Sequence, residues 1–288
     1  MGSWEDRYWT SRDGLRLHYR DYAGPADRPP VLCLHGLTRN ARDFENIGER
    51  LAGEWRVLAV DFRGRGGSDH DPQSSRYMPP VYAADVLQLL DELAIGEAVF
   101  IGTSLGGIVT MIVAGFAPQR IAGALLNDVG PELNRPGLDR IASYVGQELL
   151  FRDWDEAAQQ FAAKYQDVHP GYDRDDWVRY SKRVARQTER GIELDYDMAI
   201  AEPFRQMDPN TAAAVDAWPL FRALDGKPVV ILRGEHSDLF PPSAAQKMLE
   251  AVPSAELVTV ANVGHAPDFD EPESIAAVDS LLDRVLKR

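Results

Sequence analysis

The stretch that most constrains this chain is a serine flanked by glycines, placed between an apolar run and an amphipathic segment. The apolar run ends at Ile101, and the sequence GTSLGG covers Gly102–Gly107. After it, apolar residues recur every three or four positions, the pattern of one face of an α-helix. Ser104 is therefore predicted to lie in a sharp strand-to-helix turn. Glycine at 102 and 106 lets strand and helix approach closely, and the helix N-terminus offers free N–H groups to a developing negative charge.

This G-x-S-x-G turn, with a strand before it and a helix after it, resembles the nucleophile elbow of the α/β-hydrolase superfamily. The resemblance implies an α/β fold, with a mostly parallel sheet flanked by helices and an inserted helical cap. It also implies that Ser104 is a catalytic nucleophile. Haloalkane dehalogenases and epoxide hydrolases of this superfamily carry Asp at the elbow, so a serine disfavours those two reactions.

Strands and helices alternate over most of the chain, which is typical of a parallel sheet with right-handed crossovers. Short apolar runs predict buried strands at 31–34, 56–61, 98–101, 123–128, 228–233 and 257–260. The alternation stops at Pro131 and resumes after Trp218. We therefore expect a hydrolase core formed by residues 1–130 and 218–288. Residues 131–217 are predicted to form a helical cap, and no strand is expected there.

A serine hydroxyl needs a base to take its proton and a third group to orient that base. The superfamily supplies these groups in the chain order Ser, acid, His, from loops that follow later strands. His265 lies directly after the last predicted strand and is the predicted base. Asp238, after the strand at 228–233, is the predicted acid. Asp128, which also follows a core strand, and Glu235 remain alternatives.

The resemblance also places an oxyanion hole after the strand at 31–34. An His-Gly pair at this point in the superfamily precedes the residue whose backbone N–H binds the oxyanion. In this chain the pair is His35-Gly36, so the implied donors are the N–H groups of Leu37 and of Leu105. His35 itself is predicted to be structural.

The amino-acid composition limits the kinds of partner and cofactor that the protein can bind. The net charge of −14 argues against nucleic acid and anionic membranes, because both would repel the protein. The single cysteine, Cys33, allows neither an internal disulfide nor a zinc site. No signal peptide and no apolar run near 18 residues is present, so a cytoplasmic protein is expected. We expect a small-molecule substrate and no metal or organic cofactor, with monomer and homodimer both open.

The sequence resembles most the esterase, enol-lactonase and ring-cleavage-product hydrolase branch of the superfamily. This resemblance implies a serine hydrolase that cleaves an ester or lactone of a small, mostly apolar substrate through an acyl-enzyme. The pocket is expected to have aromatic and aliphatic walls. Three alternatives remain open: a hydrolase of a carbon–carbon bond in a vinylogous diketone, a cofactor-free perhydrolase, and a small-molecule receptor on the same fold.

Overall fold

A twisted eight-stranded sheet forms the centre of the computed structural model, which describes residues 4–206 and 216–288. Its strands are β1 (Trp4–Thr10), β2 (Arg16–Tyr22), β3 (Val31–Leu34), β4 (Val57–Asp61), β5 (Ala98–Thr103), β6 (Ile121–Asn127), β10 (Val229–Gly234) and β11 (Ala255–Val260). Their spatial order is β1-β2-β4-β3-β5-β6-β10-β11. β2 is antiparallel to β1 and to β4, and the other neighbours are parallel. The predicted α/β class is confirmed.

Helices cover both faces of this sheet. They are α1 (Glu45–Leu51), α2 (Pro79–Glu92), α3 (Leu105–Phe116), α8 (Trp218–Arg222), α9 (Pro242–Ala251) and α10 (Pro272–Leu286), with 3₁₀ helices at Ala41–Phe44, Ser74–Arg76 and Pro118–Arg120. Helices α2, α3, α8 and α9 pack on one face, and α1 and α10 pack on the other. The sequence of β3 is apolar throughout because both faces of this strand are buried. Leu32 and Leu34 face the first layer of helices, and Val31 and Cys33 face the second.

A second, smaller body, called the cap below, lies between β6 and α8 in the chain. It contains α4 (Arg135–Tyr144), β7 (Leu150–Phe151), α5 (Trp154–Tyr165), α6 (Arg174–Val184), β8 (Ala185–Thr188), β9 (Gly191–Leu194), a 3₁₀ helix (Met198–Ala201) and α7 (Glu202–Gln206). Residues 207–215, within the predicted cap, are outside the described residues. The expectation of no strand is wrong, because β7, β9 and β8 form an antiparallel sheet. These strands are two to four residues long, which is too short to show the alternation that marks a half-buried strand.

Polar contacts join the cap to the core beside β3 and β4. The Asn40 side chain donates to the carbonyl of Arg183 at 2.8 Å, and Arg42 donates to Asp195 at 2.7 Å. The cap has its own apolar core, around Phe151, Phe161 and Trp177. Within the described ranges, no helix is long and apolar enough to cross a membrane.

Candidate active site

The turn after β5 holds Ser104 in a left-handed backbone conformation, with φ of 51°. Such a φ is strained for a residue with a side chain. The surrounding backbone holds Ser104 in it, and this backbone packs closely only because glycines lie at two neighbouring positions. A Cβ on Gly106 would lie 1.9 Å from the carbonyl oxygen of Leu34, and one on Gly102 would lie 2.5 Å from the backbone of Gly106. The two glycines are therefore required for the close approach of β3, β5 and α3 that sets the turn.

His265 and Asp128 complete a chain of hydrogen bonds that begins at Ser104. The hydroxyl Oγ of Ser104 lies 3.1 Å from Nε2 of His265, and Nδ1 of His265 lies 2.7 Å from Oδ2 of Asp128. Asp128 is fully buried, and its carboxylate also accepts from the N–H of Gly234 at 2.9 Å and from the hydroxyl of Ser237 at 2.5 Å. These bonds hold the carboxylate in one orientation, so His265 keeps its proton on Nδ1 and presents Nε2 to the serine.

The prediction that Asp238 orients the histidine is wrong in this structure. Asp238 is paired instead with Arg140 of the cap helix α4, with two contacts of 2.5 and 2.7 Å. This bidentate pair lowers the pKa of Asp238 and satisfies both of its oxygens. The third candidate, Glu235, is exposed and accepts from the backbone N–H of Asn262. Asp128, kept as an alternative from the sequence, is the carboxylate that contacts His265.

Asn127, the last residue of β6, was not selected from the sequence. Its side-chain amide donates to the carbonyl of Pro267 at 2.8 Å and to the hydroxyl of Thr103 at 3.1 Å. It thereby ties the loop that carries His265 to the end of β5, directly before Ser104. Its place beside Asp128 at the end of a core strand is the only sequence signal for this role.

His35 controls the direction of the peptide that contains the N–H of Leu37. Burial lowers the pKa of His35 to about 4, so the ring is neutral. Its Nε2 accepts from the N–H of Phe62 at 3.1 Å, so Nδ1 carries the proton and donates to the carbonyl of Gly36 at 2.6 Å. In a trans peptide the carbonyl and the following N–H point in opposite directions, so the N–H of Leu37 points away from the His35 ring. The Gly36 side of the loop faces Ser104, since a Cβ on Gly36 would lie 3.9 Å from the serine Cβ.

The second predicted oxyanion donor is the N–H of Leu105, the first residue of helix α3, directly after Ser104. The N–H groups of a helix's first turn have no acceptor within the helix, so this one is available to a bound oxyanion.

We expect the substitution His35→Leu to lower kcat for ester hydrolysis about 10- to 100-fold with little change in KM. The reason is that a displaced oxyanion donor weakens binding of the transition state more than binding of the substrate. Steady-state kinetics on p-nitrophenyl butyrate measures kcat and KM separately. His18→Gln is the control, because it also removes hydrogen bonds from a buried histidine, but away from Ser104. Equal losses of kcat in both variants would mean that His35 acts only through stability.

A cavity of about 120 Å³ opens at Ser104 between the core and the cap. Its aromatic and aliphatic lining matches the predicted walls: Leu37, Ile141, Tyr144, Tyr165, Val168, Tyr180, Pro267 and Phe269. His169 also faces this cavity; it is buried and stacks on Tyr172 at 4.4 Å, and burial lowers its pKa to about 4. The ring is therefore neutral at neutral pH and adds a polar group without charge.

Three arginines also line this cavity, and they were not predicted. Arg39 is paired with Asp43 at 2.7 Å, Arg140 with Asp238, and Arg183 with Asp268 at 3.3 Å and Asp270 at 3.1 Å. The expectation of aromatic and aliphatic walls is therefore only partly correct. In the sequence these arginines are spread over 145 positions among many other charges, so no local pattern marked them.

Comparison with known proteins identifies the family of this chain. The sequence profile of the alpha/beta hydrolase family matches residues 31–278. The chain belongs to this family. A 3-hydroxybutyrate-oligomer hydrolase of Cupriavidus necator is 34% identical over 270 residues, which cover 91% of this chain and 90% of that protein. The family assignment made from the elbow is thus confirmed.

Solved structures agree as well. A crystal structure of an alpha/beta hydrolase from Novosphingobium aromaticivorans shares 52% identity and superimposes with a TM-score of 0.93, covering 99% of both chains. The structure of an E-2-(acetamidomethylene)succinate hydrolase shares 26% identity with a TM-score of 0.81, over 97% of this chain and 99% of that one. The similarity therefore extends over core and cap together.

Proposed function

We propose that this α/β hydrolase is a serine hydrolase that cleaves an ester or lactone bond in a small acidic substrate. The observation that carries the proposal is the hydrogen-bond chain from Ser104 through His265 to Asp128, with distances of 3.1 and 2.7 Å. Both distances are within the range at which a base can take the proton of a nucleophile and be oriented by a carboxylate.

The reaction proceeds in two halves. Ser104 Oγ attacks the carbonyl carbon while its proton moves to Nε2 of His265, and the N–H groups of Leu37 and Leu105 bind the oxyanion. His265 then returns the proton to the leaving alcohol oxygen, which leaves an ester on Ser104. Water attacks this acyl-enzyme with His265 again as base, and the acid is released with Ser104 restored. Asp128 stabilises the imidazolium in both halves.

The lining of the cavity supports an acidic, oxygen-rich substrate instead of the mostly apolar one expected from the sequence. Tyrosine hydroxyls and His169 offer hydrogen bonds to carbonyl or carboxylate oxygens, and each of the three arginines has further N–H donors besides those in its ion pairs. The similar proteins named above act, by their names, on 3-hydroxybutyrate oligomers and on an acetamidomethylene succinate, and both kinds of compound carry carboxylates. We therefore favour a short oligoester of a hydroxy acid.

Hydrolysis of p-nitrophenyl acetate, butyrate and octanoate, and of the 3-hydroxybutyrate dimer, tests the proposal in wild type and Ser104→Ala. We expect wild-type turnover of the short esters and of the dimer, and a loss of about 10⁴- to 10⁶-fold in kcat in the variant. Equal activity in wild type and variant would overturn the proposal, because it would remove Ser104 from the reaction.

The alternatives from the sequence give different results in the same assays. Cleavage of a vinylogous diketone without ester turnover would indicate a carbon–carbon hydrolase. Halogenation that requires both peroxide and acetate would indicate a perhydrolase. Tight ligand binding with turnover below about one per minute, far below ordinary enzyme rates, would indicate a receptor.

A further inference from the structure

A second, smaller cavity of about 30 Å³ lies beside the active-site cavity. The two cavities share five lining residues: Thr38, Arg39, Tyr144, Tyr165 and Tyr180. A substrate that extends from Ser104 along these shared side chains would therefore reach the second cavity. Lys164, in the last turn of α5, lines the second cavity and not the first.

The cations around the two cavities differ in how they are paired. Arg39, Arg140 and Arg183 each contact at least one carboxylate of the protein, so their charges are already balanced. Lys164 makes no ion pair with any residue of 4–206 or 216–288. It is therefore the cation at these cavities that retains its full attraction for a carboxylate of the substrate.

Lys164 is exposed, and its ammonium group lies beside two tyrosine rings that line both cavities. Its Nζ lies 5.0 Å from the ring centre of Tyr144 and 5.4 Å from that of Tyr165, both within the range of a cation–π interaction. Partial burial lowers the pKa of Lys164, since no anion offsets the cost of removing the charge from water. A bound carboxylate would supply that anion.

We propose that Lys164, held between Tyr144 and Tyr165, binds the free carboxylate of the oligoester while Ser104 attacks the ester bond. This assignment rests on the proposed ester hydrolysis. It makes the cap the part of the protein that selects acidic substrates.

The test compares the ester-linked dimer of 3-hydroxybutyrate with the same dimer whose carboxylate is converted to an N-methylamide. Wild type is expected to show a kcat/KM about tenfold higher for the acid, as for one exposed charge-assisted hydrogen bond. Lys164→Gln should remove this preference through KM, and Lys164→Arg should keep most of it. Lys182→Gln, which removes an exposed lysine elsewhere in the cap, is the matched control and should keep the preference. Raising the salt concentration should reduce the preference, because the site is open to solvent.

p-Nitrophenyl acetate separates the two proposals, since it has no carboxylate. If wild type hydrolyses p-nitrophenyl acetate, and Lys164→Gln loses the preference for the acid while Lys182→Gln keeps it, the site is established. A preference unchanged in Lys164→Gln, or no preference in wild type, overturns the carboxylate site and leaves the hydrolase intact. If wild type hydrolyses neither p-nitrophenyl acetate nor the dimer, the proposed ester hydrolysis is overturned, and the carboxylate site with it.

Discussion

The substitution Asp128→Asn is expected to lower kcat for ester hydrolysis by about 10⁴-fold, while Asp238→Asn leaves kcat within about tenfold of wild type. An asparagine at 128 keeps the shape of the side chain, and its oxygen can still accept from the N–H of Gly234. Its amide group, however, would face Nδ1 of His265 in place of a carboxylate oxygen. The histidine then places its proton on Nε2, and it can no longer take the proton of Ser104.

Asp238→Asn is the matched control because it makes the same chemical change in the neighbouring loop. It weakens the pair with Arg140 but removes no contact of His265. Steady-state kinetics on a neutral ester such as p-nitrophenyl butyrate gives both numbers, and circular dichroism checks that each variant is folded. A 10⁴-fold loss in Asp238→Asn with a small loss in Asp128→Asn would contradict the hydrogen bonds described here.

The choice between these two carboxylates shows where sequence reasoning stops. Asp128 follows β6 and Asp238 lies in the loop after β10, and these strands are neighbours in the sheet. Both carboxylates therefore reach the same edge, and strand order alone cannot rank them. The contact that distinguishes them is the ion pair between Arg140 on α4 and Asp238, while Asp128 is the carboxylate bonded to His265. That contact joins residues 98 positions apart and belongs to no motif.

The elbow, by contrast, could be predicted because its requirements are local. Ser104 needs a strand before it, a helix after it and small residues beside it, and all of these occupy one continuous stretch. The lining of the two cavities could not be predicted in this way. Its side chains, among them Arg39, Tyr144 and Lys164, come from separate elements of the core and the cap, which only the folded chain brings together.

The substitution Arg63→Met is expected to lower the free energy of unfolding by about 3–5 kcal/mol, because it removes a buried positive charge. Arg63 donates to Asp85 at 2.7 and 2.8 Å, to Asp71 at 2.6 Å and to Asp13 at 2.9 Å. The side chains of Arg63 and Asp71 are 2% and 0% exposed. Arg63→Met keeps the volume but leaves two buried carboxylates without their cation, and this loss is a large share of a typical domain stability of about 5–15 kcal/mol.

Urea unfolding at pH 7 measures the loss, and Arg76→Met is its control. Arg76 also contacts Asp13, at 3.0 Å, but it is 37% exposed, so its removal should cost less than about 1 kcal/mol. The hydrogen bond from Arg63 is the main cause that lowers the pKa of Asp13 from 3.8 to about 2. The stability that Asp13 contributes is thus present above pH 3.8 and is lost as the pH falls through about 2, and Arg63→Met should shrink this dependence. Equal losses in Arg63→Met and Arg76→Met would mean that burial adds nothing to this ion cluster.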